Sequence, residues 1–131
     1  MKAIAKRLID GQDLMTEIIK VVNENHIKAG VVLSAVGSLK ESNIRVPVIN
    51  GEVKYINPVN VEIDNVHGTV SENGIHLHIT VSDVQGGVMG GHLKEGCIVR
   101  TTCELVIGIL DNIEFNREAD ELTGFDELIV R

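Results

Sequence analysis

The sequence predicts an α+β domain in which one main N-terminal helix packs against a mostly antiparallel or mixed β-sheet. Three observations carry this expectation: a single stretch has helical periodicity, the other apolar runs are short and rich in β-branched residues, and turn residues separate those runs.

The helical stretch is 13–28, DLMTEIIKVVNENHIK, where Leu14, Ile18, Val21 and Val22 recur at spacings of three and four and so share one face. Asp13 fits an N-cap, and Gly30 fits the stop. His26 falls near the helix C-terminus, where a partial positive charge is favourable, and reads as structural. Beyond Gly30, VVLSAVGSL suits a buried strand broken by Gly37-Ser38. Residues 44–49 and 53–63 read as strands flanking Asn50-Gly51, a hairpin turn signal. Pro47 and Pro58 belong at edges or bulges, because proline donates nothing to a ladder. VEIDNVHGTV then leads through the turn Glu72-Asn73-Gly74 into GIHLHITVS. CIVRTTCELVIGIL, from Cys97 to Leu110, is a further long strand, and Gly124 marks a polar turn before a last apolar one.

A length of 131 residues implies one domain spanning 1–131, long enough to bury about two thirds of its unfolded surface. No apolar run approaches the roughly twenty residues of a membrane span, and the opening MKAIAKRLIDGQDL lacks the pattern of a signal peptide. Cys97 and Cys103, on one extended strand, lie too far apart to be joined to each other, and they share a parity with Val99, Leu105 and Ile107. Both read as core thiols of a chain in a reducing, cytoplasmic setting. The formal net charge is −7, the 12 basic residues are scattered, and there are only three aromatic residues, Tyr55, Phe115 and Phe125. That pattern argues against nucleic acid as the main partner.

The chemistry concentrates in GIHLHITVSDVQGGVMGGHL, residues 74–93, which holds three of the five histidines. Strand alternation puts Ile75, Leu77, Ile79 and Val81 on the core face and His76, His78, Thr80 and Ser82 on the other. The glycines of 86–91 allow a tight return that carries His92 over the same face. Three imidazoles suit Zn²⁺ or another late first-row divalent ion and leave one position open. Asp83 and Glu104 are the candidate acceptors to orient the rings, or a general base if the metal activates water. His67, on a neighbouring strand, reads as a polar sheet residue outside the set. No catalytic residue is assigned: Ser82 lacks a GxSxG context, and no Gly-Lys-Ser/Thr follows the glycines.

The HLH triplet at 76–78, Ser82-Asp83, GGHL at 90–93, Gly96 and TTCEL at 101–105 together resemble the PPC domain (plants and prokaryotes conserved domain, formerly DUF296). Gly37-Ser38-Leu39, Gly68-Thr69 and the ending READELTGFDEL extend the resemblance over almost the whole chain, in the manner of the small stand-alone prokaryotic members. It implies an α+β fold with a mostly antiparallel sheet, a homotrimer, and metal-site histidines at His76, His78 and His92. It also brings the label of a predicted DNA-binding protein, but the plant relatives' AT-hook, a short Arg-Gly-Arg-Pro element, has no counterpart here. Where the family commonly has a small hydroxyl residue, this chain has His67. The sequence therefore points to a metal-binding oligomeric module, zinc first, that scaffolds or senses. Its alternatives are an architectural DNA-binding protein and a metal-dependent hydrolase or lyase.

Overall fold

The computed structural model describes residues 1–131 and contains one helix and ten strands. In chain order these are β1 (Lys2–Ile9), α1 (Leu14–Glu24), β2 (Gly30–Glu41), β3 (Ile44–Arg45), β4 (Tyr55–Ile56), β5 (Val61–Ser71), β6 (Gly74–Ser82), β7 (Val88–Leu93), β8 (Ile98–Ile109), β9 (Phe115–Ala119) and β10 (Asp126–Val130). Eight strands form one sheet in the order β1-β8-β2-β5-β6-β7-β3-β4, and β9 and β10 pair as a separate hairpin. Every pairing is antiparallel. The α+β class with a mostly antiparallel sheet is thus the fold observed. The one helix is not long and apolar enough to cross a membrane.

Helix α1 starts where the sequence places it: the Asp13 carboxylate accepts the Thr16 N–H at 2.9 Å, satisfying a donor that the first turn leaves free. Its other oxygen accepts from Gly96 N–H at 2.7 Å, which ties the helix start to the loop before β8. Leu14, Ile18, Val21 and Val22 are buried against the sheet. The end differs from expectation. The helix stops at Asn25, whose N–H donates to the Val21 carbonyl at 3.2 Å, and His26 takes the left-handed conformation with φ 49° while its N–H donates to the Asn23 carbonyl at 3.3 Å. Gly30 already belongs to β2. His26 is held outside the core, its Nδ1 2.9 Å from the Glu72 carboxylate.

One sheet face is core and the other is open. Leu8, Leu39, Ile63, Val66, Ile79, Val81, Val99 and Ile107 form the inner layer with the helix. On the outer face Ile9, Leu33 and Val36 remain 53%, 47% and 49% exposed. The run VVLSAVGSL is therefore half-buried, not enclosed, and β2 continues through Gly37-Ser38 with a register shift instead of breaking there. Asn50 and Gly51, at φ 53° and 72°, do make the expected turn, but the strands beside it shrink to the two-residue β3 and β4. Pro47 and Pro58 lie just outside strands. Sequence reasoning missed β1, which pairs with β8 along its whole length.

Cys97 and Cys103 are free and fully buried. Burial pushes the Cys103 thiol up to about 11. At pH 8 only about a thousandth of it is then thiolate, the reactive form. The native protein is expected to resist Ellman's reagent at pH 8 and to release both thiols only with global unfolding. Rapid labelling of either thiol in the folded protein would contradict their placement.

Candidate metal centre

The site begins with the alternation of β6. Leu77, Ile79 and Val81 are buried, and His76 and His78 stand on the opposite, open face. The chain then turns earlier than the glycine-rich run suggests. The Asp83 carboxylate accepts the N–H groups of Gln85 and Gly87 at 2.9 and 2.8 Å, and Gly86 supplies the positive φ of 78°. Gly90 and Gly91 are strand residues of β7, not turn residues. Their role is close approach: a Cβ on Gly90 would lie 2.4 Å from the Ile79 carbonyl oxygen, and one on Gly91 2.6 Å from that of Arg45. The return still carries His92 onto the histidine face, directly opposite His78 in the β6–β7 register.

The ring nitrogens of His76, His78 and His92 offer ligand atoms that all lie within 4.8 Å of one another. The rings of His78 and His92 are 4.3 Å apart between centroids, those of His76 and His78 are 5.2 Å apart, and His76 stacks on His92 at 5.5 Å. Even at the 4.8 Å limit, a point equidistant from three such atoms is about 2.8 Å from each, so small ring rotations reach the 2.0–2.1 Å of a Zn–N bond. None of the three rings is taken up by a side-chain hydrogen bond or an ion pair within the chain. Burial first, then Arg45 and the neighbouring imidazoles, pulls His92 down to about 4; burial and then His76 lower His78. Near neutrality both are unprotonated, the form that ligates a metal. This donor set fits a late first-row divalent ion.

Two sequence assignments need correction. The Asp83 carboxylate is spent on its own turn and does not orient a ring. Glu104 sits on β8, separated from β6 by β2 and β5, and its neighbours in register are Arg7 and Val36. Neither acts on the triad. His67 faces His78 across β5 and β6, with centroids 6.0 Å apart, but its Nδ1 accepts from the Asn65 amide at 3.1 Å and it lies outside the cluster.

Residues the sequence did not flag also converge here. Arg45 pairs in register with His92 across β3 and β7. Arg117, from the C-terminal hairpin, donates to Thr69 Oγ1 at 3.0 Å, and Thr69 is the register partner of His76. Arg117 passes over Gly74, where a Cβ would come within 2.7 Å of its Cγ. A cleft of about 500 Å³ opens beside the triad, lined by Arg45, His76, His92, Lys94 and Arg117, with Asp126 and Glu127 also on its wall.

Fold and site together define a class: an antiparallel-sheet domain that presents a three-histidine cluster on its open face. The sequence model of the Plants and Prokaryotes Conserved (PCC) domain family matches residues 1–111, and the chain belongs to that family. It is 37% identical over all of its 131 residues to part of the bifunctional protein GlmU of a Synechococcus strain, and it spans only about a fifth of that relative's length. Among solved structures, a hypothetical protein from Salmonella cholerae-suis superposes with a TM-score of 0.91 at 34% identity, covering 99% of this chain and 93% of that one. A metal-containing protein from Archaeoglobus fulgidus gives a TM-score of 0.84 at 27% identity, covering 98% and 94%. A protein from Ralstonia eutropha JMP134, designated a candidate for DNA binding, shares the fold at 20% identity with a TM-score of 0.85, covering 97% and 90%.

Proposed function

We propose that this protein is a metal-binding module that assembles as a homotrimer and works by binding, as a scaffold or sensor. His76, His78 and His92 are its ligands, and zinc is the first choice of ion. The observation that carries this reading is the convergence of three imidazoles from two adjacent strands, with no competing partner. The metal-containing relative from Archaeoglobus adds support. Three protein ligands leave zinc a fourth position for water or a small molecule.

Assembly is supported by the outer face. Ile9, Leu33 and Val36 lie about half exposed on the side of the sheet that the helix does not cover. Apolar sheet faces are stabilised by exclusion of water, and a second copy of the chain supplies that cover. The number three is the one the family resemblance implies. Residues 1–131 act as one unit, supported by the packing of the C-terminal hairpin through Arg117 on Thr69 and Asn73 on Phe115. Two buried unpaired thiols suit the cytoplasm.

Sedimentation equilibrium of the untagged protein should give three times the 14.3 kDa chain mass, and Leu33→Asp should shift it toward monomer. A wild-type protein that sediments as a monomer at micromolar concentration would end the trimer reading.

DNA binding is the alternative, and the Ralstonia protein of the same fold favours it. Against it stand the net charge of −7 and the scattering of the twelve basic residues along the chain. A duplex shifted at physiological salt, with affinity falling as salt rises, would turn the account toward DNA. The hydrolase or lyase reading is weakened by the positions of Asp83 and Glu104, neither of which serves as a base beside the triad.

A further inference from the structure

Of the twelve Lys and Arg residues, six have a carboxylate within 4 Å: Lys6, Lys20, Lys28, Lys40, Lys54 and Arg131. Three of the remaining six, Arg45, Lys94 and Arg117, line the single cleft that borders His76 and His92. In a chain of net charge −7, acidic partners are plentiful, and three cations left without one in the same cleft have another use. They come from β3, the loop after β7, and the C-terminal hairpin, so the tertiary fold alone assembles them.

The cleft is also held in shape. Arg117 is fixed by its bond to Thr69, in register with His76, and Gly74 leaves the space through which its side chain runs. Arg45 is fixed in β3 opposite His92. Asp126 and Glu127 occupy the same wall, so the lining is not uniformly positive. A purely anionic partner such as a nucleic-acid backbone does not match that mixture. A small molecule with an oxyanion at one end and hydroxyl donors at the other does. A volume of about 500 Å³ is in the range of a metabolite-sized ligand.

We infer that the cleft formed by Arg45, Lys94 and Arg117 binds the phosphate or carboxylate of a small organic anion and presents it to the open position of the three-histidine metal. The metal-facing half of this inference rests on the zinc reading above; the cation-lined half stands on its own residues. The C-terminal hairpin, beyond the residues 1–111 that the family's sequence model matches, supplies Arg117 and so contributes to the choice of anion.

The test is calorimetric titration of 2-phosphoglycolate, which carries both kinds of anion, into metal-free and zinc-loaded protein, with inorganic phosphate and glycolate as the separate halves. The metal-free protein should bind it, and zinc should tighten binding by about tenfold. Arg45→Gln and Lys94→Gln should each weaken binding to the metal-free form by about tenfold, the loss of one charge-assisted contact, and Arg100→Gln, a cation outside the cleft, should not. Arg117→Gln is read beside its thermal midpoint, because Arg117 also anchors the hairpin. Whichever half binds better identifies the anion. No binding to either form below about 10 mM, or binding that Arg45→Gln and Lys94→Gln leave unaltered, overturns the inference. Binding that those variants abolish in a protein that takes up no zinc keeps the anion cleft and discards the metal reading.

Discussion

His78→Ala is expected to weaken zinc binding by roughly a hundredfold or more, measured by competition with a chelator of known affinity. Loss of a group that merely orients a ligand costs about 10–100-fold, and His78 is itself placed as a ligand. It is the middle ring of the cluster, 4.3 Å from His92 and 5.2 Å from His76 between centroids. Without it, two stacked imidazoles 5.5 Å apart remain, too few for a specific site. The fold should survive. His78 projects from the open face, and its cross-strand contacts with His67 and His92 are worth about 0.2–1 kcal/mol each. The metal-free variant should therefore unfold within a few degrees of the metal-free parent. Equal zinc affinity in variant and parent would remove His78 from the ligand set.

Gly90→Val should destroy the site while leaving all three histidines in the chain. A Cβ at this position lies 2.4 Å from the Ile79 carbonyl oxygen, inside any real contact distance, and the obstacle is backbone that cannot rotate away. β7 must part from β6, and with it goes the register that sets His92 against His78. The expected cost is about 3 kcal/mol or more in urea unfolding, the range of forced overpacking combined with lost ladder bonds, together with loss of zinc. Retention of parental stability and zinc affinity would mean that β6 and β7 do not approach as described. The pair of substitutions separates two causes: His78→Ala removes a donor from an intact frame, and Gly90→Val keeps the donors and breaks the frame.

These two positions also show what could be read from the sequence. His78 was legible because strand alternation is a local property: buried Leu77 and Ile79 fix which way their neighbours face. The same holds for α1, whose apolar spacing and Asp13 cap are contained within one short segment. Gly90 was misread as a turn residue. Glycine serves both turns and close backbone approach, and only the neighbouring strand decides between them. Glu104 was misplaced for a related reason. Its parity on β8 was clear, but the order β8-β2-β5-β6 is set by long-range pairing that a linear pattern does not contain. β1 was not recognised as a strand because Lys2, Lys6 and Arg7 interrupt its apolar residues, and it is its pairing with the distant β8 that makes it one. Arg45 and Arg117 carry no motif at all, and the tertiary fold alone sets them beside His92 and His76.

The most direct test of the account is the metal content per chain of untagged protein, purified without chelators and measured by elemental mass spectrometry. The account predicts close to one late first-row divalent ion per chain, zinc first, lost together with His78. A protein that arrives metal-free and takes up none on dialysis against zinc would make His76, His78 and His92 ordinary polar residues of an open sheet face.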